Sequence, residues 1–220
     1  MPAAGTVVDV TASRRSALVA ATCVAVALLA GCDQGGTPSP AAPTSSSTAP
    51  APGSSPAAAS PAGPSYTAAG LDLCARVDLA LLAELKLTVT RTDPTPPVGR
   101  PGAACLFEMR TADGHQANLR VEASTPATAE EAVRLFQATG QVTAMTPAGA
   151  VPGLGEEAEA FTKQSTPGFD YAEYLVHART GNLVVKVWLA VGGDSFTPTA
   201  TLAEKSRAIL TATQAAVPTD

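Results

Sequence analysis

Residues 33–65 contain no leucine, isoleucine, valine or aromatic residue, and this stretch decides which part of the chain can fold. Its 33 residues are 8 prolines, 8 serines, 8 alanines, 4 glycines and 3 threonines, with Asp33 and Gln34. Such a segment cannot bury enough apolar surface to offset the entropy lost on ordering. We therefore expect a disordered tether, roughly 30 Å long as a flexible coil and roughly 100 Å as polyproline II. Any hydrophobic core must come from residues 66–220, enough for one ordinary domain.

The chain before the tether has the pattern of an export signal. Arg14 and Arg15 precede an uncharged, largely apolar run of 16 residues, "SALVAATCVAVALLAG". A spanning helix needs about 20 apolar residues, whereas the apolar part of a secretory signal has about 7 to 15. We therefore interpret residues 1–31 as a signal peptide, with an uncleaved membrane anchor as the alternative. The paired arginines partly resemble a twin-arginine signal, which leaves the export route open.

The apolar run ends in "LLAGC", in which Leu29, Ala30 and Gly31 precede Cys32. An apolar residue and two small residues before a cysteine resemble the lipobox of bacterial lipoproteins. The resemblance implies attachment of a diacylglyceryl group to the Cys32 sulfur and cleavage between Gly31 and Cys32. A thiolate is a side-chain nucleophile suited to that transfer. Cys32 would then open the mature chain and anchor it in the lipid bilayer, at the outer face of the cytoplasmic membrane. A chance apolar cysteine is the alternative.

The net charge and the aromatic content of the chain limit the kinds of partner that it can bind. Removal of the signal peptide takes away Arg14, Arg15 and Asp9, which leaves 12 basic and 18 acidic residues and a net charge of -6. Nucleic-acid binding requires a basic surface, and aromatic residues, which stack on bases, make up only 4% of the chain. We therefore expect no nucleic-acid partner. An acidic domain gains nothing electrostatically at an anionic membrane, so attachment must come from the lipid.

The four cysteines have different expected fates. Cys23 lies inside the signal peptide and Cys32 carries the lipid in this interpretation, so Cys74 and Cys105 remain in the folded part. Because the compartment outside the membrane is oxidising, we expect these two to form a disulfide. Two unpaired buried thiols are the alternative.

Alternating apolar residues predict two β-hairpins, which turn at residues 113–114 and 181–182. Each hairpin is followed by a Thr-Pro pair, and we expect Thr125 and Thr197 to be the N-caps of two helices. Gly140 is the expected end of the first of these helices. The sequence therefore predicts an α+β domain, with an antiparallel sheet and helices packed on one face. The repeated hairpin–helix order is either an internal duplication or a coincidence.

An earlier apolar stretch, residues 71–87, has helical spacing with a break at Asp78. Cys74 opens that helix, Cys105 opens a strand, and "VPGLGEEA" occupies residues 151–158. Together with the final hairpin and the closing helix, these features resemble small secreted lipoproteins of actinobacteria that carry domains of unknown function. The resemblance implies a curved antiparallel sheet and roles in sensing or in the cell wall. It supplies no catalytic residues.

The residue types that catalysis and metal binding need do not cluster in the sequence. His115 and His177 are predicted on a turn and on a sheet surface, with no second histidine or cysteine at metal-ligand spacing. No G-x-S-x-G nucleophile motif occurs. Glu156, Glu157 and Glu159 predict a solvated edge, with a calcium site as the alternative. We therefore expect no catalytic residue, no metal and no cofactor.

Trp188 and Lys186 share a strand face opposite the main apolar stripe. With Tyr174 they would line a groove or, as we prefer, pack under a helix.

These observations favour a non-catalytic binding, sensor or accessory module, whose partner is an unknown protein or envelope ligand. The alternatives are a carrier of a lipid or other apolar ligand between sheet and helices, and a hydrolase whose site is assembled from distant residues.

Overall fold

Residues 63–220, which the computed structural model describes, form a seven-stranded antiparallel sheet with helices. The strands are β1 Thr88–Asp93, β2 Gly102–Arg110, β3 Gln116–Ser124, β4 Thr146–Ala150, β5 Glu157–Ser165, β6 Asp170–Thr180 and β7 Leu183–Gly193. The helices are α1 Leu73–Arg76, a 3₁₀ helix Leu79–Leu85, α2 Ala129–Val142 and α3 Thr199–Ala216. Gly31 and Cys32, with the predicted signal peptide and most of the tether, lie outside the described residues. No helix within residues 63–220 is long and apolar enough to cross a membrane.

The spatial order of the strands is β1-β2-β3-β7-β6-β5-β4, so the two predicted hairpins meet at the centre of the sheet. Strands β2 and β3 pair throughout, as do β6 and β7, whose two-residue turn lies between Thr180 and Leu183. Val121 of β3 lies opposite Val187 of β7 at the central pairing. The prediction of an α+β domain with an antiparallel sheet is therefore confirmed.

One face of the sheet is apolar and forms the main core under α1, the 3₁₀ helix and α3. Leu119 of β3 and Leu189 of β7 are fully buried there, and α3 contributes Leu202, Ile209 and Leu210. Complete burial of a side chain of this size stabilises a fold by about 1.5 to 3 kcal/mol. The alternation of apolar and polar residues along the central strands thus determines which face of the sheet forms the main core.

The structure brings the sulfur atoms of Cys74 and Cys105 to bonding distance, 2.06 Å apart. The bond joins α1 to β2 on the apolar face. Helix α1 has only four residues, far too few for a helix to be stable by itself in water. Its position depends on this bond and on Leu73, which is buried in the core.

Helix α2 lies on the opposite face of the sheet, so the expectation that the helices share one face is wrong for this helix. Ala132 and Phe136 of α2 are buried against Val184 of β7. Val184 gives this face of the sheet an apolar patch against which α2 packs. Because α3 packs on the main core, the two hairpin–helix units put their helices on opposite faces. The hairpin–helix order recurs along the chain, but not as a repeated three-dimensional unit.

The predicted N-cap of α2 is displaced by one turn. Thr128, and not Thr125, precedes the helix, and its hydroxyl accepts a hydrogen bond from the backbone N–H of Glu131 at 3.2 Å. The Thr125 hydroxyl instead accepts from the backbone N–H of Ala68 at 3.2 Å. The hydroxyl that the local pattern favoured as the cap is therefore engaged in a tertiary contact instead. Helix α3 likewise begins after its predicted cap Thr197, with Pro198 in the N-cap position and no side-chain cap.

We expect Thr128→Ala to lower the free energy of unfolding by about 1 kcal/mol, since an N–H group of α2 would lose its acceptor. Urea unfolding of the variant and of the parent chain measures this difference. Thr166→Ala, in the exposed loop between β5 and β6, is the matched control and should have little effect. Equal stability of the two variants would contradict the capping role.

The first described residues are joined to the last. Tyr66 forms an isolated antiparallel bridge with Thr219. The Asp220 carboxylate accepts hydrogen bonds from the hydroxyls of Ser65, at 3.1 Å, and Thr67, at 2.8 Å. The backbone N–H of Tyr66 also donates to Asn182 Oδ1, in the β6–β7 turn, at 2.7 Å. Ser65, which the sequence places in the tether, therefore already belongs to the folded part.

Candidate functional site

A row of ionisable side chains crosses the second face of the sheet. Strand register places Lys186 of β7 between Glu122 of β3 and His177 of β6. Glu159 of β5 lies opposite His177 on its other side. The row is therefore carboxylate, ammonium, imidazole, carboxylate, in that order across four adjacent strands.

At the Glu122 end of the row, three cations surround one buried carboxylate. Lys186 Nζ lies 3.2 Å and Arg120 Nη2 lies 3.5 Å from Glu122 Oε2, and the Arg100 guanidinium pairs with Glu122 Oε1. Burial by itself would raise the pKa of Glu122, but the charges of Lys186 and Arg100 outweigh it and lower that pKa. Lys186 is thus paired with Glu122, on the side of the row away from Glu159.

His177, expected on a sheet surface, is fully buried beneath α2. Its ring stacks on Phe136 with centroids 4.3 Å apart and lies 5.7 Å from the ring of Phe161. Neither ring nitrogen has a hydrogen-bond partner among residues 63–220. Burial, and secondarily the charge of Lys186, lowers the pKa of His177 to about 4. The imidazole is therefore neutral at neutral pH.

Glu159 has a carboxylate without a cationic partner in the described part of the chain. Its Oε2 lies 3.7 Å from His177 Nε2, which is too far for a hydrogen bond. Within residues 63–220, no lysine or arginine nitrogen lies within 4.0 Å of it. The side chain is 49% exposed. Its negative charge is therefore presented to solvent beside a neutral ring.

The neighbouring acids Glu156 and Glu157 have a different, structural role. Each places a carboxylate oxygen 2.7 Å from Arg179 Nη2, and the Glu156 carboxylate also accepts from the backbone N–H of Gly181 at 2.8 Å. This hydrogen bond from Gly181 is the largest cause of the lowered pKa of Glu156. Glu156 and Glu157 are partly exposed, as the interpretation of a solvated edge expects, but they also hold the buried Arg179. No group of three His, Cys, Asp or Glu side chains in residues 63–220 is placed to hold a metal ion.

The segment "VPGLGEEA" also packs closely against Arg179, in this case against its backbone. Gly155 has φ +72°, and a Cβ atom there would lie 2.5 Å from the backbone oxygen of Arg179. Only glycine fits both the backbone angle and the close approach. The segment can therefore turn tightly over the end of β6 before β5 begins.

A cleft of about 540 Å³ opens between α2 and the β4–β5 hairpin, next to Glu159. We call it the α2–β5 cleft. Its walls combine two aromatic rings, a proline, one unpaired carboxylate and two glutamine side chains: Phe136, Phe161, Pro147, Glu159, Gln137 and Gln141. His177 lies behind this wall, in contact with both rings.

Gly140 determines how closely α2 approaches the cleft. It was expected to end the helix but lies within it, since α2 continues to Val142. A Cβ atom at this position would lie 3.2 Å from Glu159 Oε2 and 3.4 Å from Phe161 Cζ. The absence of a side chain therefore leaves the space over Glu159 open.

Trp188, Lys186 and Tyr174, for which we preferred packing under a helix to lining a groove, do not share one face of the sheet. Trp188 lies on the second face, where its Nε1–H donates to Glu173 Oε2 at 3.1 Å. Tyr174 belongs to the main core on the other face. Neighbouring side chains along a strand point to opposite faces of the sheet, so Trp188 lies on one face and Tyr174 on the other.

Sequence reasoning placed no functional residue at the α2–β5 cleft. The predicted pair Cys74 and Cys105 lies on the other face of the sheet, and Glu159 was grouped with its sequence neighbours. The available signal was Val184, an apolar residue beside Lys186 on the second face of β7, which indicates that something covers that end of the face. Comparisons with known protein families, curated proteins and solved structures found no match to this chain.

Proposed function

We propose that this chain is a lipid-anchored module at the outer face of the cytoplasmic membrane, which binds an envelope ligand without catalysing a reaction. The single observation that carries the proposal is the order of segments: an apolar export segment, "LLAGC", a 33-residue tether and a folded domain. The lipid would hold the domain at the membrane, and the tether would set how far it reaches. The α2–β5 cleft is the ligand site we infer.

The surroundings of His177 support binding in preference to catalysis. A general base must come within about 2.6–3.2 Å of the proton that it removes, directly or through one water. His177 is fully buried between Phe136 and the sheet, so a substrate in the cleft meets the aromatic wall first. The cleft therefore offers surfaces for contact and charge for recognition.

We expect Cys32→Ala to abolish incorporation of labelled lipid, since the sulfur that carries the diacylglyceryl group is removed. The measurement is metabolic labelling in a bacterial host with a fatty-acid probe, followed by fractionation of membranes. Cys23→Ala, within the predicted signal peptide, is the matched control and should label normally. Labelled lipid on the Cys32→Ala chain would show that the lipobox interpretation is wrong, and membrane retention without label would indicate an uncleaved anchor.

A carrier of an apolar ligand is the second candidate, favoured by the aromatic and proline walls of the cleft. A carrier isolated from its own host should arrive loaded. Native mass spectrometry of that protein distinguishes the two functions, because a carrier shows a lipid-sized mass increment and a module that binds reversibly shows none.

A further inference from the structure

The charges around the α2–β5 cleft do not balance. Glu156 and Glu157 share one cation, Arg179, and Glu122, at the far end of the row, is held by Lys186, Arg100 and Arg120. Of the two carboxylates that line the cleft, Glu157 and Glu159, Glu159 has no lysine or arginine nitrogen within 4.0 Å among the described residues. Glu159 therefore presents a negative charge to the cleft with no cation beside it in the described part of the protein.

The aromatic walls complement that charge. Phe136 and Phe161 converge on His177, and both line the cleft beside Glu159. The faces of aromatic rings attract cations, and their carbon surface also accepts an apolar group. A carboxylate flanked by aromatic rings selects a ligand that combines positive charge with an apolar body.

His177 lies behind the aromatic wall of the same cleft, next to Glu159. Both of its ring nitrogens lack a partner among residues 63–220, although its side chain is fully buried. Buried polar atoms without partners are rare in native proteins and call for an explanation. Nε2 points toward Glu159, with 3.7 Å between Nε2 and Oε2. Because Phe136 and Phe161 separate the ring from the cleft, the group available to a ligand is the exposed carboxylate of Glu159.

We propose that the α2–β5 cleft binds an organic ammonium ion, with Glu159 as its counter-ion and its apolar part against Phe136 and Phe161. This inference rests on the proposed binding function and specifies its ligand. An anionic ligand would face the carboxylate of Glu159 without a compensating cation. A neutral apolar ligand would remove water from that carboxylate without replacing its interactions, which is unfavourable.

The test uses three probes that share a benzyl or phenyl group and differ in charge: benzylammonium, benzyl alcohol and benzoate. Each is titrated into the chain carrying Cys32→Ala at neutral pH, while amide NMR signals of Gly140, Ala150 and Glu159 are followed. We expect benzylammonium to bind about tenfold more tightly than benzyl alcohol, and benzoate more weakly than either. Added salt should weaken the binding of benzylammonium and leave that of benzyl alcohol unchanged.

The deciding variant is Glu159→Gln, which keeps the size of the exposed side chain and removes its charge. It should reduce the affinity for benzylammonium about tenfold and leave benzyl alcohol unaffected. Glu108→Gln is the matched control, because Glu108 lies on the same sheet face but is paired with Arg91 at 3.2 Å. It should leave both affinities unchanged, and the unfolding midpoint of each variant shows that it folds.

Two outcomes would overturn the inference. Equal affinity for benzylammonium and benzyl alcohol, unchanged in Glu159→Gln, would mean that the cleft binds apolar groups without selecting charge, and the proposed binding function would stand. Failure of every probe to shift the cleft signals would also reject the ammonium site. The broader binding function fails separately, when crosslinking on intact host cells captures neither an envelope ligand nor a protein.

Discussion

Removal of the Cys74–Cys105 bond is expected to lower the free energy of unfolding by about 3 to 4 kcal/mol. The bond closes a loop with a sequence separation of 31 residues, and opening it gives the unfolded chain more conformational freedom. In the native state, α1 would lose its covalent link to β2 and keep only the packing of Leu73 and its neighbours. For a domain of this size, the loss corresponds to a fall of roughly 10 °C in the unfolding temperature.

The measurement compares the oxidised parent with the double variant Cys74→Ala/Cys105→Ala, by thermal and urea unfolding with and without a reductant. Reductant should bring the parent close to the double variant and leave the double variant unchanged. If the oxidised parent and the double variant unfold together, the bond makes no contribution to stability. The chain carries Cys23→Ala and Cys32→Ala throughout, so that Cys74 and Cys105 have no third thiol to exchange with.

Acid is expected to destabilise the fold through His177. Its pKa is 6.5 as a free side chain and about 4 in the folded protein, so the folded state disfavours the charged ring. The stability from the neutral ring is complete above pH 6.5, is lost as the pH falls through that value, and is fully lost below pH 4. The difference corresponds to about 3 kcal/mol.

The charged groups that face His177 act in opposite directions. Lys186 on β7 opposes protonation, whereas Glu159 on β5, 3.7 Å away, favours it. Arg179, two positions along β6, has its charge matched by Glu156 and Glu157. Helix α2 places the uncharged ring of Phe136 against the imidazole, and burial is the largest cause of the lowered pKa of His177.

His177→Phe removes the titration while keeping an aromatic ring against Phe136. Urea unfolding between pH 7.5 and pH 4 should show a smaller loss of stability for this variant than for the parent. His115→Gln is the matched control, because His115 lies near the surface with its ring 2.9 Å from Asp194. This variant should keep the pH profile of stability that the parent chain shows. Parallel pH profiles for His177→Phe and the parent would contradict the assignment to His177. Hydrogen exchange should show the amides of α2 losing protection first, because α2 covers the ring.

Local patterns predicted the central sheet well because each central strand has one apolar face. The alternation of Leu119 and Val121 on β3, and of Val187 and Leu189 on β7, allows only one register against a core. The position of α2 was not predictable in the same way, since it depends on a small patch around Val184. Its cap was also misplaced because Thr125 makes a contact with Ala68, 57 residues earlier in the chain. Local propensity has no information about such a partner.

The cleft was harder to predict than the fold for a related reason. Glu157 and Glu159 have the same residue type and lie on the same face of β5. What distinguishes them is the register with β6, which places Arg179 opposite Glu157 and His177 opposite Glu159. Only the three-dimensional pairing shows that one carboxylate is neutralised and the other is not.

The hydrogen bonds of Ser65, Tyr66 and Thr67 have a mechanical consequence. If the chain is anchored as we propose, a pull on the segment before Ser65 would reach the domain at these residues first. It is carried to Asp220 beyond α3 and to Asn182 at the β6–β7 turn, and not directly to the central strands. These few surface contacts are expected to yield before the sheet does, releasing extra chain at about 3.3–3.6 Å per residue. The domain would then relax under load while the cleft between α2 and β5 kept its shape.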